Sequence, residues 1–150
     1  RMNLPVTVGD LHIDLFEADK ESADGLEVSE GTPITRVQRV MLADGRPAAY
    51  LVDILSETTL HAVDLPSDFS GSVLDFLLAR GDGLTLSRAT IGATDAPADV
   101  AKALEIQRGD VLLHFASQLY DANNHVVDYS VSYFIPGYFR FHVNRRVGSS

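Results

Sequence analysis

Leu26-Glu27-Val28-Ser29-Glu30-Gly31 returns 78 residues later as Leu104-Glu105-Ile106-Gln107-Arg108-Gly109. The same shift places Ile13, Ala18 and Ala23 on Ile91, Ala96 and Ala101, without a gap. After each glycine an apolar run alternates with period two. A turn follows, Asp44-Gly45-Arg46-Pro47 in the first copy and Ala122-Asn123-Asn124-His125 in the second, and then a second alternating run. Self-similarity at a fixed shift is the mark of a duplicated supersecondary unit.

Each copy reads as strand, short helix and two-strand hairpin. In the first copy the strand covers about 11–17, the helix about 19–25 and the hairpin strands about 34–43 and 48–55. In the second they cover about 84–93, 97–105, 111–120 and 126–134. Asp95 or Ala96 is expected to cap the second helix, with Pro97 in its first turn. Asp-Gly and Asn-Asn suit hairpin turns because both tolerate positive φ. Between the copies, Ser72-Val73-Leu74-Asp75 resembles a capping box with Asp in place of Glu or Gln. Val73, Leu74, Leu77 and Leu78 then form an apolar stripe, and Gly81 fits a left-handed stop after Arg80. The segment 55–65 supports no assignment. A last strand is expected over 138–143, with Phe139, Phe141 and Val143 on one face. Hairpin-rich connections predict an α+β fold: a mainly antiparallel sheet with a few helices packed on it, in two pseudo-repeated strand-helix-hairpin halves.

Composition narrows the function. The chain has 150 residues, 45% hydrophobic and 22% charged, with a formal charge of −9. That is a globular balance and a length for one domain. The negative charge gives no electrostatic footprint for nucleic acid. No cysteine is present, which excludes a disulfide framework, a thiolate nucleophile and a Cys-based zinc site. No apolar run approaches the roughly 20 residues of a membrane helix. The start, Arg1-Met2-Asn3-Leu4-Pro5, has no apolar signal-peptide core. Asp10 to Glu30 holds eight acids and one base, Lys20, while Arg140, His142, Arg145 and Arg146 cluster near the C-terminus. These are either two solvated surfaces or a complementary contact between two copies. The histidines at 12, 61, 114, 125 and 142 are scattered, with no His-Glu-x-x-His, so no metal site is expected. There is no Gly-x-Ser-x-Gly nucleophile elbow and no phosphate-cradling glycine loop. No catalytic residue and no cofactor are assigned.

The ordered motifs resemble a known family. Gly31-Thr32-Pro33-Ile34-Thr35-Arg36-Val37-Gln38-Arg39 followed by Ala43-Asp44-Gly45-Arg46-Pro47-Ala48 is similar to the first hairpin of the UTRA domain. This is the effector-binding domain of GntR-type transcription regulators of the HutC subfamily. Ser72-Val73-Leu74-Asp75-Phe76-Leu77 resembles its helix start. Leu104-Glu105-Ile106 to Gly109, Val126-Val127-Asp128-Tyr129-Ser130 and Phe139-Arg140-Phe141 resemble its second half and ending. The resemblance implies a chorismate-lyase-like fold over 10–147, with 1–9 a linker remnant and 148–150 a tail. It implies a small-molecule effector, a homodimer in a bacterial cytoplasm, no membrane, and DNA contacted only through a winged helix-turn-helix absent from this chain. An alternative on the same fold is a chorismate-lyase-like enzyme that eliminates pyruvate.

Arg39 shares a strand face with Thr35, Val37 and Met41, and a guanidinium there needs a carboxylate or phosphate. That partner is either a ligand, as the family implies, or an internal Asp or Glu. Ser72 is either an ordinary N-cap or part of an anion site at a helix start. Asp128, Ser130 and Ser132 form a polar face that is either solvated or a pocket lining. The resemblance places Met41, Leu51 and Leu74 where sugar-phosphate binders of the family carry polar groups, which implies a less polar effector, a carboxylate with an apolar body. The candidate ligand-binding residues are therefore Arg39, Met41, Leu51, Ser72, Leu74, Asp128, Ser130 and Tyr133.

Overall fold

Among the described residues the alternating runs form six strands, with three α-helices between them. In chain order they are β1 (Val6–Glu17), α1 (Lys20–Leu26), β2 (Pro33–Ala43), β3 (Arg46–Ser56), α2 (Val73–Arg80), β4 (Leu84–Asp95), α3 (Ala98–Leu104), β5 (Val111–Asp121) and β6 (Val126–Phe134). The computed structural model describes residues 6–66, 69 and 71–138. β4, α3 and β5 begin 78 residues after β1, α1 and β2, so the repeat of sequence is a repeat of structure. All strand pairs are antiparallel, in the order β1-β2-β3-β6-β5-β4. The two halves meet where β3 pairs with β6.

The repeated residues have a shared mechanical role. Each helix stops on a left-handed glutamate, Glu27 at φ 58 and Glu105 at φ 58. The following residue closes the helix end: the Val28 N–H donates to the Ala23 carbonyl and the Ile106 N–H to the Ala101 carbonyl, both at 3.0 Å. Gly31 and Gly109 also have positive φ, 86 and 91, and their N–H groups donate to the carbonyls of Ala18 and Ala96. A residue with a Cβ would be strained at either glycine. Ala18, Ala23 and Leu26, like Ala96, Ala101 and Leu104, are at most 4% exposed, because small side chains let each helix lie close on the sheet.

The helices divide between the two faces. α1 packs Ala23 and Leu26 against Ile34 and Ile54, and α3 packs Val100, Ala101 and Leu104 against Val40 and Leu112. On the other face Val73 and Leu77 of α2 pack with Leu60 and Leu65 over Val37, Leu55 and Val127. α2 therefore roofs the sheet beside the β3–β6 seam.

Several expectations change in detail. β1 begins at Val6, which pairs with Ala43, so 6–9 of the expected linker belong to the sheet. Neither Asp95 nor Ala96 caps α3: Pro97 holds the N-cap position, and Ala96 instead bonds the loop at Gly109 and Asp110. Ser72 caps α2, accepting from the Asp75 N–H at 2.9 Å, and Gly81 ends it at φ 94. Of the expected stripe only Val73 and Leu77 are buried, and Leu74 and Leu78 are 41% and 51% exposed. α2 lies with one narrow edge on the core, so the 74/78 edge faces outward. The unassigned 55–65 segment ends β3, turns, and makes a 3-10 turn at Ala62–Asp64. The strand expected over 138–143, the basic cluster from Arg140 and the tail at 148–150 lie outside the described residues, apart from Tyr138.

Gly25 marks the closest approach of α1 to β6. A Cβ placed there would sit 2.4 Å from the Tyr129 ring. Gly25→Ala is expected to destabilise the fold by about 1–3 kcal/mol in urea unfolding. Gly92→Ala on β4, with nothing within 4 Å, is expected to stay within about 0.5 kcal/mol of wild type. Equal effects would contradict the packing described.

Candidate functional site

Strand register brings the candidate residues together. On the face under α2, one row across β2, β3, β6 and β5 reads Val37, Asp53, Ser130, Ser117. The next row reads Arg39, Leu51, Ser132, Phe115. Asp128 follows on β6, opposite Leu119 of β5. Period-two alternation sends all these side chains to one side. Apart from Val37 and Phe115, these residues line a cavity of about 160 Å³ with Ser72, Val73 and Leu74 from the start of α2 and Ser87 from β4.

Of the eight expected residues, six line this cavity: Arg39, Leu51, Ser72, Leu74, Asp128 and Ser130. Met41 does not; it pairs with Val8 and Ala49, one step further along β2 toward the hairpin turn. Tyr133 does not either, because from Tyr129 onward the odd positions of β6 face α1 and α3, beyond the register shift opposite Leu119 and Tyr120. Its ring lies 6.4 Å from that of Tyr50 and 5.1 Å from that of His114, beside a separate hollow that includes Arg36 and Gln38.

Three buried charged groups define the chemistry. Arg39, Asp53 and Asp128 are 6%, 8% and 5% exposed. Arg39 donates from Nη1 to the Gly71 carbonyl at the entry to α2. Its Nη2 lies 3.7 Å from Asp53 Oδ2, a loose ion pair. The Asp53 and Asp128 carboxyls are neighbours that act on each other's protonation. Sharing a hydrogen bond between them requires a proton on one of them. Burial pushes the Asp53 carboxyl up, against the pull of the Asp128 hydrogen bond and of Arg39. Burial, then the Asp53 charge, hold Asp128 well above the usual carboxylate range. Arg39 Nε and Asp128 Oδ1 have no hydrogen-bond partner among the described residues. Buried polar atoms are nearly always satisfied, so an unmatched donor and an unmatched acceptor on two residues that line one cavity mark a place for a ligand's own groups.

Asp53, Ser87, Ser117 and Leu119 are cavity residues that the sequence reading missed. Asp53 was legible in principle: it is an acid within the apolar run 48–55, in phase with Leu51. Asp53 places a carboxyl on the same strand face as Leu51, two residues later. Arg39 accordingly has an internal carboxylate as well as a free Nε. Among the described residues no three His, Asp or Glu side chains gather as a metal site. No described helix is long and apolar enough to cross a membrane.

The UTRA domain family model matches residues 2–140, almost the whole chain. The chain belongs to the UTRA domain family. No curated protein matches it in sequence. Among solved structures, this UTRA domain is similar to PhnF from Mycobacterium smegmatis, at 19% identity and a TM-score of 0.83, covering 97% of this chain and 64% of that one. It is similar to the effector domain of the same protein, at 19% identity and a TM-score of 0.82, covering 96% and 89%. It is also similar to a GntR-family transcriptional regulator from Bacillus cereus, at 13% identity and a TM-score of 0.78, covering 97% and 100%. These likenesses carry the fold. This UTRA domain spans slightly less than two thirds of the length of full PhnF and of YydK from Bacillus subtilis.

The buried pair predicts a pH signature. Between the ordinary carboxylate value of 3.8 and its raised value in the fold, Asp128 holds a proton that the unfolded chain has lost. Stability then falls as pH rises through that window, because the folded state binds more protons there. Asp128→Asn removes this titration and keeps a donor for Asp53. The stability of Asp128→Asn relative to wild type, from urea unfolding at a series of pH values, is expected to rise with pH across the window and level off above it. A difference that does not change with pH would contradict the proton-sharing pair.

Proposed function

We propose that this UTRA domain is the small-molecule effector-binding and dimerisation domain of a GntR regulator of the HutC type. The observation that carries this is the cavity under α2, lined by Arg39 and Asp128, whose buried Nε and Oδ1 have no partner among the described residues. Arg39 Nε offers a donor to a carboxylate or other acceptor on the effector. Leu51, Val73, Leu74 and Leu119 offer an apolar wall for its body. In this reading residues 10–147, extended by β1 to Val6, are the effector unit, with a linker before and a tail after. The unit works as a homodimer in the cytoplasm, and DNA is reached only through a separate winged helix-turn-helix. The likeness to the effector domain of PhnF supports the reading. An effector that prefers one dimer geometry would shift the population and be reported through the DNA-binding part.

The site gives no support to a pyruvate-eliminating lyase. A dicarboxylate substrate would meet two buried carboxyls beside a single guanidinium. Without a further cation that arrangement repels its charge.

A metabolite panel read by thermal unfolding tests the proposal. A true effector at a hundred times its dissociation constant adds about 2.7 kcal/mol of stability. Leu51→Trp, which fills the cavity from β3, is expected to remove that stabilisation. A panel of carboxylates, amines and polyols that leaves the chain unmoved, or a hit that survives Leu51→Trp, would overturn it.

A further inference from the structure

The cavity holds two buried carboxyls against one guanidinium. Arg39 is already engaged, by the Gly71 carbonyl through Nη1 and loosely by Asp53 through Nη2. The acids therefore outnumber the positive charge available to them. Asp128 is 5% exposed and lines the cavity, and its Oδ1 has no partner among the described residues. The hydroxyls of Ser130, Ser132 and Ser117 stand on the same wall and can accept further N–H bonds. Asp53 from β3 and Arg39 from β2 are the charged groups that face Asp128 among the described residues, since β4, β5 and α2 present serines and apolar side chains to the cavity. Burying two carboxylates is costly unless a positive charge answers each of them.

We propose that the molecule this cavity takes carries a cationic nitrogen, an ammonium or amidinium, which docks on Asp128 Oδ1 beside Asp53. The proposal rests on the effector reading and specifies the chemical class of the effector. A second cation completes the balance of two positive groups against two carboxylates. A neutral hydroxyl would satisfy Oδ1 and leave the charge count unchanged. An anionic group that comes without such a cation would worsen it. Docking a cation removes the reason for the two carboxyls to share a proton, so that proton leaves to solvent. The same molecule can offer an acceptor to Arg39 Nε.

The test uses the chain as it stands and probes matched in shape. Each pair exchanges an amino group for a hydroxyl: putrescine with butane-1,4-diol, serinol with glycerol, benzylamine with benzyl alcohol, and L-leucine with 2-hydroxy-4-methylpentanoate. Binding is measured by calorimetry in buffers of different ionisation heat. At least one amine is expected to bind about tenfold or more tighter than its hydroxyl twin. It is expected to release roughly one proton per site near neutral pH, with affinity that rises with pH as Asp128 gives up its proton. Asp128→Asn is expected to bring the amine down to the level of its twin. The proton count is read on wild type, so it stands even if that variant fails to fold. Hydroxyl twins that bind as well as the amines, amine binding without proton release, or no amine bound at all would overturn the proposal. If a hydroxyl twin binds wild type and is lost in Leu51→Trp, the cation is wrong and the effector reading stands. Failure of the broader panel would remove both.

Discussion

The pairing of β3 with β6 is the constraint on which the rest of the structure depends. Each half forms its own hairpin and its own helix, but Asp53 belongs to the first half and Asp128 and Ser130 to the second. Only the seam, Ala49 to Ile54 against Phe134 to Tyr129, places Asp53 opposite Ser130 and within reach of Asp128. A slip of one residue would send every side chain of β6 to the other face. The seam is held in register by what covers it. α1 lies close enough to β6 that Tyr129 nearly touches Gly25, and Gln118 of β5 donates to the Gly25 carbonyl at 2.9 Å. The duplicated helix stops therefore do more than end helices. They set each helix across the sheet at the depth that the seam requires.

Duplication and function are separated between the two faces. The face under α1 and α3 keeps the repeat: paired alanines, paired leucines and paired left-handed glutamates. The face under α2 breaks it. α2 stands between the copies, and the cavity opens beneath its first turn. Arg39 links the two, since it rises from β2 and donates to the Gly71 carbonyl immediately before α2. The position of the helix start and the charge state of the acidic pair are thus coupled through one guanidinium. An occupant that changes the charge at Asp128 acts on the group that anchors α2, a physical route from binding to movement of the helix.

Much of this was legible in the sequence. The shift of 78 residues gave the halves, their helices and their hairpins, because left-handed stops and close helix-sheet contacts demand particular residues at particular places. Arg39, Asp128 and Ser130 stand out because polar residues at period two within an apolar run need a reason, and Ser72 because it opens a helix. Asp53 obeys the same logic, but a single acid inside an otherwise apolar run, in phase with Leu51, is a weaker signal than the polar series of β6. Tyr133 was assigned to the site although its phase sends it to the opposite face. Ser87 and Ser117 carry no local signal: they join the site through the order in which β4 and β5 are laid down beyond β6, which no single segment encodes. Leu74 and Leu78 read as core because apolar spacing shows which residues share an edge of a helix and not which edge meets the sheet.

The seam brings two buried carboxyls together beside Arg39, where one of them is held protonated. Carbon-13 NMR of the aspartate side-chain carboxyls, followed through a pH titration of the unliganded chain, tests this most directly. Asp128 is expected to remain protonated well above the ordinary carboxylate value of 3.8, and the Asp53 signal is expected to move when Asp128 finally titrates. An Asp128 that ionises at the ordinary value, with no response at Asp53, would contradict this.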